Sequence, residues 1–112
     1  MKKFLILYRS PISAEQQMAS ADPEQGQAGM DLWTAWMHKA GDALVDGGAP
    51  LGTPLSLPKG GANGAPFATG YSILQAGSLE EVRSLLEGHP HLLTPGGAFI
   101  DVQEMLAIPG MG

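Results

Sequence analysis

The run Lys3-Phe4-Leu5-Ile6-Leu7-Tyr8-Arg9 decides the fold. From Phe4 to Tyr8 every residue is apolar. Side chains alternate sides along a strand, so both faces of this one are apolar, as in a strand covered on both sides. Ser10-Pro11 ends it. The start, with Met1-Lys2-Lys3 ahead of the run, superficially resembles a signal peptide. The apolar stretch is too short for that, and no small-residue cleavage site follows directly. No apolar run approaches membrane-spanning length. The expected location is cytoplasmic, with no membrane partner.

Working outward, Ser13-Ala14-Glu15-Gln16 has capping-box spacing and predicts a short helical turn to about Ser20. Asp22-Pro23-Glu24-Gln25 is a stronger start. Asp22 can cap, Pro23 suits the first helical position, and Gly41 is a good stop after Ala40. Met30, Trp33, Met37 and Ala40 would share one face of this helix, with Trp36 beside them.

A short strand is expected over Ala43–Asp46. The Gly- and Pro-rich stretch Gly47–Pro66 reads as an irregular strand pair turning through Lys59–Gly64. Pro54 and Pro58 confine it to a sheet edge. Gly60–Ala65 is expected to be the most mobile internal segment. Ala68–Ala76 is a strand. Ser78-Leu79-Glu80-Glu81 is a capping box opening a helix that carries Leu79, Val82 and Leu86 on one face. Ala98–Leu106 is the last strand, with Ile100 and Val102 on one side and Asp101 and Gln103 on the other.

The order is strand, helix, strand, strand, helix, strand. Two right-handed βαβ crossovers of this kind make an α+β, ferredoxin-like βαββαβ sandwich, with an antiparallel sheet and helices on one face. The other face is then bare and apolar, and a homodimer packed sheet to sheet is expected.

The whole chain of 112 residues is read as one domain with one core. At 44% hydrophobic and 15% charged residues it is a globular, not a disordered, composition. The net charge of −5 argues against nucleic acid and anionic membranes as partners. With no cysteine there is no disulfide, thiolate metal site or thiol nucleophile.

Chemistry concentrates at Glu87-Gly88-His89-Pro90-His91. Pro90 fixes its own φ and restricts His89, so two imidazoles sit on a defined corner. Each is able to move protons near neutral pH. The competing reading has His89 capping the preceding helix, where its dipole favours a cation, and His91 packing over Pro95. His91 is the favoured cleft residue, with Asp101 as its partner. Two histidines one residue apart are too few ligands for a metal site, and the third, His38, lies on another helix; no metal and no cofactor are expected. Asp31 and His38 are about two turns apart, ~10 Å along the axis, and read as a solvated helix face. Trp33 is expected to be buried against the sheet. The Gly60–Gly64 stretch lacks the GK[ST] of a phosphate loop.

Taken together, Tyr8-Arg9-Ser10-Pro11, Gly48-Ala49-Pro50-Leu51, Gly70-Tyr71-Ser72-Ile73-Leu74, Glu87-Gly88-His89-Pro90-His91-Leu92, Ile100-Asp101-Val102-Gln103-Glu104-Met105 and Pro109-Gly110-Met111 resemble the YCII-related, or DGPF, domain family. The resemblance spans essentially the whole chain. It implies a dimeric α+β barrel built on a ferredoxin-like monomer. It also implies a pocket using a histidine and an aspartate, and lyase-type chemistry on small, often aromatic, compounds. Some relatives occur near or fused to extracytoplasmic-function sigma factors. Two positions depart from the family pattern. Gly29-Met30-Asp31-Leu32 has no histidine where relatives place one, and His89-Pro90 stands where relatives often carry Asp-Pro.

The expected site is a small-molecule cleft in each protomer. His89 or His91 would be the acid or base, and Asp101 would orient an imidazole. Tyr8 and Trp33 would line the walls, and Arg9 would hold a carboxylate or phenolate. The rival is a non-catalytic dimeric module contacting a protein such as a sigma factor. A ligand-binding protein without turnover is the third reading.

Overall fold

The structure, a computed structural model, describes residues 1–57, 65–94 and 96–110. It is an α+β fold. Strand β1 (Lys2–Ser10) is followed by helices α1 (Ala14–Ser20) and α2 (Pro23–Ala40), and by a 3-10 turn at Gly41–Ala43. Strands β2 (Leu44–Asp46) and β3 (Phe67–Ala76), helix α3 (Leu79–Leu86), a second 3-10 turn (Pro90–Leu93) and strand β4 (Phe99–Met105) complete it. The four strands form one antiparallel sheet in the order β2-β3-β1-β4, compatible with a ferredoxin-like arrangement.

The helices begin where local chemistry predicts. Ser13 and Gln16 form a reciprocal capping box. The Asp22 carboxylate accepts from the Gln25 amide at 2.8 Å, ahead of Pro23. Ser78 Oγ accepts from the Glu81 amide at 3.2 Å, while Glu81 accepts from Gly77 N–H at 2.8 Å and not from Ser78. Gly41 ends α2 at φ +53°, which costs glycine little.

β1 lies at the centre of the sheet. Phe4, Ile6, Tyr8 and Ser10 are buried on one face, and Leu5, Leu7 and Arg9 are half-buried on the other. Register carries this division across the sheet: Ile6 pairs with Ser72 and Val102, Leu7 with Tyr71 and Asp101. The core unites Phe4, Ile6, Tyr8, Leu74 and Ala76 with Trp36 and Ala40 of α2 and Val82 and Leu86 of α3. Ile100 and Val102 pack against it. The opposite face carries Leu5, Leu7, Tyr71 and Ile73, with Phe99 and Met105 at its β4 edge, none of them part of that core.

Several expectations change. The helix-to-strand junction is one 3-10 turn longer, so β2 starts at Leu44. Among the described residues of Gly47–Pro66, pairing reduces to a Pro50–Gly70 bridge with two backbone bonds, Leu51 N–H to Thr69 O at 2.9 Å and Tyr71 N–H to Ala49 O at 3.4 Å. Pro50 and Pro54 have no amide to extend the ladder. The turn at Lys59–Gly64, with Pro58, lies outside the described residues.

On α2, Trp36 and Ala40 are buried, Trp33 and Met37 half-buried, and Met30 is 59% exposed. Only the C-terminal half of the helix meets the core. From Pro23 to Leu32 all residues but Gly29 are exposed. On α3, Leu79 is exposed, while Val82 and Leu86 are buried. Helical side chains tilt toward the N-terminus, so a first-turn residue leans past the packed segment.

Candidate functional site

Where α3 ends, Gly88 takes φ +70° and turns the chain back toward the sheet. His89 follows with φ −57° and ψ 137°, the extended conformation that a following proline imposes. Pro90 then opens the 3-10 turn. This geometry folds both imidazoles inward. His89 is fully buried, and His91 is 5% exposed.

The two rings converge on Tyr8. His89 stacks on the phenol with centroids 5.0 Å apart and planes at 27°, and His91 lies 5.2 Å from it. The indoles of Trp33 and Trp36 meet His89 edge-on at 4.6 and 4.3 Å. Trp33 also contacts Tyr8 at 5.0 Å.

Hydrogen bonds assign the protons. His89 Nδ1 accepts from the His91 backbone N–H at 3.0 Å, so Nδ1 holds the lone pair and the neutral ring carries its proton on Nε2. That Nε2 is buried and has no hydrogen-bond partner among the described residues. An unmet buried donor costs about 1–3 kcal/mol. The surrounding aromatic faces offer at best weak acceptors.

His91 Nε2 lies 2.8 Å from the carbonyl oxygen of Arg9, which can only accept, so this nitrogen donates. Burial, reinforced by the nearby His91, pushes the His89 imidazole down to about 4. Tyr8 is pushed up to about 12 by burial, which outweighs its hydrogen bond to Ser72. Its hydroxyl donates to Ser72 Oγ at 2.8 Å, which donates in turn to Gly47 O at 3.0 Å.

Asp101 is not part of this cluster. In register it pairs with Leu7, so its side chain lies on the opposite face from Tyr8. There its carboxylate accepts from Arg9 Nε at 2.7 Å. Strand alternation thus separates the expected Asp–His pair by the sheet itself. Arg9 divides likewise, with its guanidinium on Asp101 and its carbonyl on His91. Of the six residues that sequence proposed, Tyr8, Trp33, His89 and His91 come together; Arg9 joins them only through its backbone, and Asp101 lies behind. His38 is exposed on α2. His89 is neither in solvent nor a cap on α3; it caps the following 3-10 turn. Pro95, over which His91 was expected to pack, lies outside the described residues.

Sequence reasoning underweighted Trp36. It is the most buried aromatic of α2, and its Nε1 donates to Leu85 O at 2.9 Å. Its spacing from Trp33, one helical turn, was the available signal.

Among the described residues, cavities adjoin the core at two places. One of about 440 Å³ lies at the other end of β3, lined by Ala43, Gln75, Ala76, Glu81 and Leu85. The other, about 220 Å³, lies against the outside of the cluster, lined by Leu32, Trp36, Lys39, Gly88, Pro90 and Leu93. Neither is lined by an imidazole. The larger cavity is remote from the histidines, so the site is placed by the side-chain chemistry and not by size.

Among the described residues, no three His, Asp or Glu side chains are grouped to hold a metal ion, and no helix is long and apolar enough to cross a membrane. No family model, curated protein or solved structure matches the chain.

Proposed function

We propose that this chain is a YCII-type protein that works as a cytoplasmic homodimer and binds a small molecule at the Tyr8–Trp33–His89–His91 cluster. The observation carrying this reading is the convergence of both imidazoles on one phenol, walled by indole. Binding sites for small molecules combine apolar and aromatic walls with a few fixed polar groups, and this cluster has both.

The dimer is proposed from the apolar sheet face. Leu5, Leu7, Tyr71 and Ile73 lie side by side on it, outside the core. Two such faces packed together would form the α+β barrel that the YCII resemblance implies. The Arg9–Asp101 pair would then lie at the margin of the interface.

If the bound molecule is also turned over, His91 is the better proton carrier. Its Nε2 is committed to Arg9 O, but its Nδ1 makes no hydrogen bond among the described residues. His89 is held neutral by burial, its Nδ1 is occupied by the His91 N–H, and its Nε2–H is left to donate. Acid–base work on an aromatic-type substrate would therefore fall to His91, with Tyr8 and Trp33 as walls.

The second reading is a non-catalytic dimeric module contacting a protein such as a sigma factor. It is favoured by the closure of the cluster, since neither cavity opens on a histidine. Sedimentation combined with a small-molecule binding screen, on wild type and a His89→Ala/His91→Ala double variant, separates the readings. Ligands that bind wild type and not the double variant support the first. A dimer that binds no small molecule favours the second, and a stable monomer removes both.

A further inference from the structure

Resting on that reading, we propose that His89 is a fixed hydrogen-bond donor for an acceptor oxygen of the ligand, a carboxylate or carbonyl, and that Trp33 is the wall that moves aside to admit it. The ligand class follows from the direction of one proton. The His91 backbone amide can only donate, so His89 Nδ1 must accept and the free atom must be Nε2–H. Among the described residues, the buried side-chain atom of the cluster left without a partner is this donor, and at that point it selects an acceptor. A donor or an ammonium ion finds no partner at that atom.

The path follows from how each wall is held. Trp36 is pinned by its bond to Leu85 O, and Tyr8 by its bond to Ser72. His91 is pinned to Arg9 O. Trp33 is half-buried and makes ring contacts, but no hydrogen bond among the described residues holds its indole. It also sits where α2 leaves the core, next to the exposed Leu32 and Thr34. A rotamer change there costs less than moving any other wall.

The test is long-range proton–nitrogen NMR on histidine-labelled protein near neutral pH. Benzoate, benzamide and acetophenone serve as acceptor probes and benzylamine as the donor control. His89 should show the Nε2–H tautomer. The acceptor probes should shift that proton downfield in a saturable way, and benzylamine should not. His89→Phe should weaken acceptor binding about tenfold, the effect of one such hydrogen bond. Trp33→Ala should speed exchange of the Nε2 proton with solvent.

A proton found on Nδ1 overturns the proposal whatever the variants do. So does a benzylamine shift equal to that of benzoate, or equal acceptor binding by a folded His89→Phe protein. If probes perturb Tyr8 and His91 without moving the His89 proton, this inference falls and the binding site stands. If no probe of either class binds, both fall.

Discussion

His91 Nε2 donates to the carbonyl oxygen of Arg9 at 2.8 Å, tying the corner after α3 to the end of β1. The contact joins residues 82 positions apart in the chain. It locates the imidazole by main chain rather than by a carboxylate, while Asp101 pairs with the Arg9 side chain on the other face.

The first prediction concerns pH. The imidazole of His89 is lowered from 6.5 to about 4 in the folded protein. Its contribution to stability is fully present above the unfolded value of 6.5. Between 6.5 and about 4 the unfolded chain takes up a proton that the folded chain does not, so stability falls as pH falls. The slope is at most about 1.4 kcal/mol per pH unit and flattens below the folded value. Urea denaturation at a series of pH values should show this decline in wild type. His89→Phe should lose that part of it.

The two tryptophans should separate by stability. Trp36 is 4% exposed and hydrogen-bonded, whereas Trp33 is half-buried. Trp36→Ala should cost about 3–5 kcal/mol, and Trp33→Ala about half as much. Equal losses in chemical denaturation would mean that the two indoles carry the same packing.

Gly48 should not accept a side chain. It lies at φ +75°, and a Cβ there would come 1.7 Å from the Tyr71 carbonyl oxygen, against backbone that cannot rotate away. Gly48→Ala should destabilise by more than about 2 kcal/mol. It should also loosen the neighbouring Ser72–Gly47 bond that terminates the Tyr8 chain. Thermal denaturation and the Tyr8 NMR signal measure both effects. By contrast, nothing lies within 4 Å of a Cβ at Gly29, so Gly29→Ala is the matched control.

The proposed dimer is tested through Leu5, which pairs with Ile73 and Gln103 on the bare face. Leu5→Glu places a charge amid Leu7, Tyr71 and Ile73. It should weaken association at least ~100-fold while leaving cooperative unfolding in place. Analytical ultracentrifugation at micromolar concentration reads the result. An unchanged dimer would put the interface elsewhere.

Much of this architecture was legible locally. Ser13, Asp22 and Ser78 announced helix starts because capping needs only a side chain and an amide three residues away. The alternation of Ile100 and Val102 with Asp101 put them on opposite faces of the strand, a consequence of strand geometry alone, but which face met the helices, and hence that Asp101 is kept from His91, came only with the packed core. Tertiary structure alone decided the rest. A helical repeat defines a face but does not say how much of α2 has a sheet beneath it, so Met30 and Trp36 exchanged roles. Sequence drew attention to His89-Pro90-His91, yet the inward turn depends on where Gly88 sends the chain relative to β1. The partner of His91 was a backbone carbonyl. Every residue carries one, so no side-chain pattern could single out Arg9 until the fold brought it within 2.8 Å.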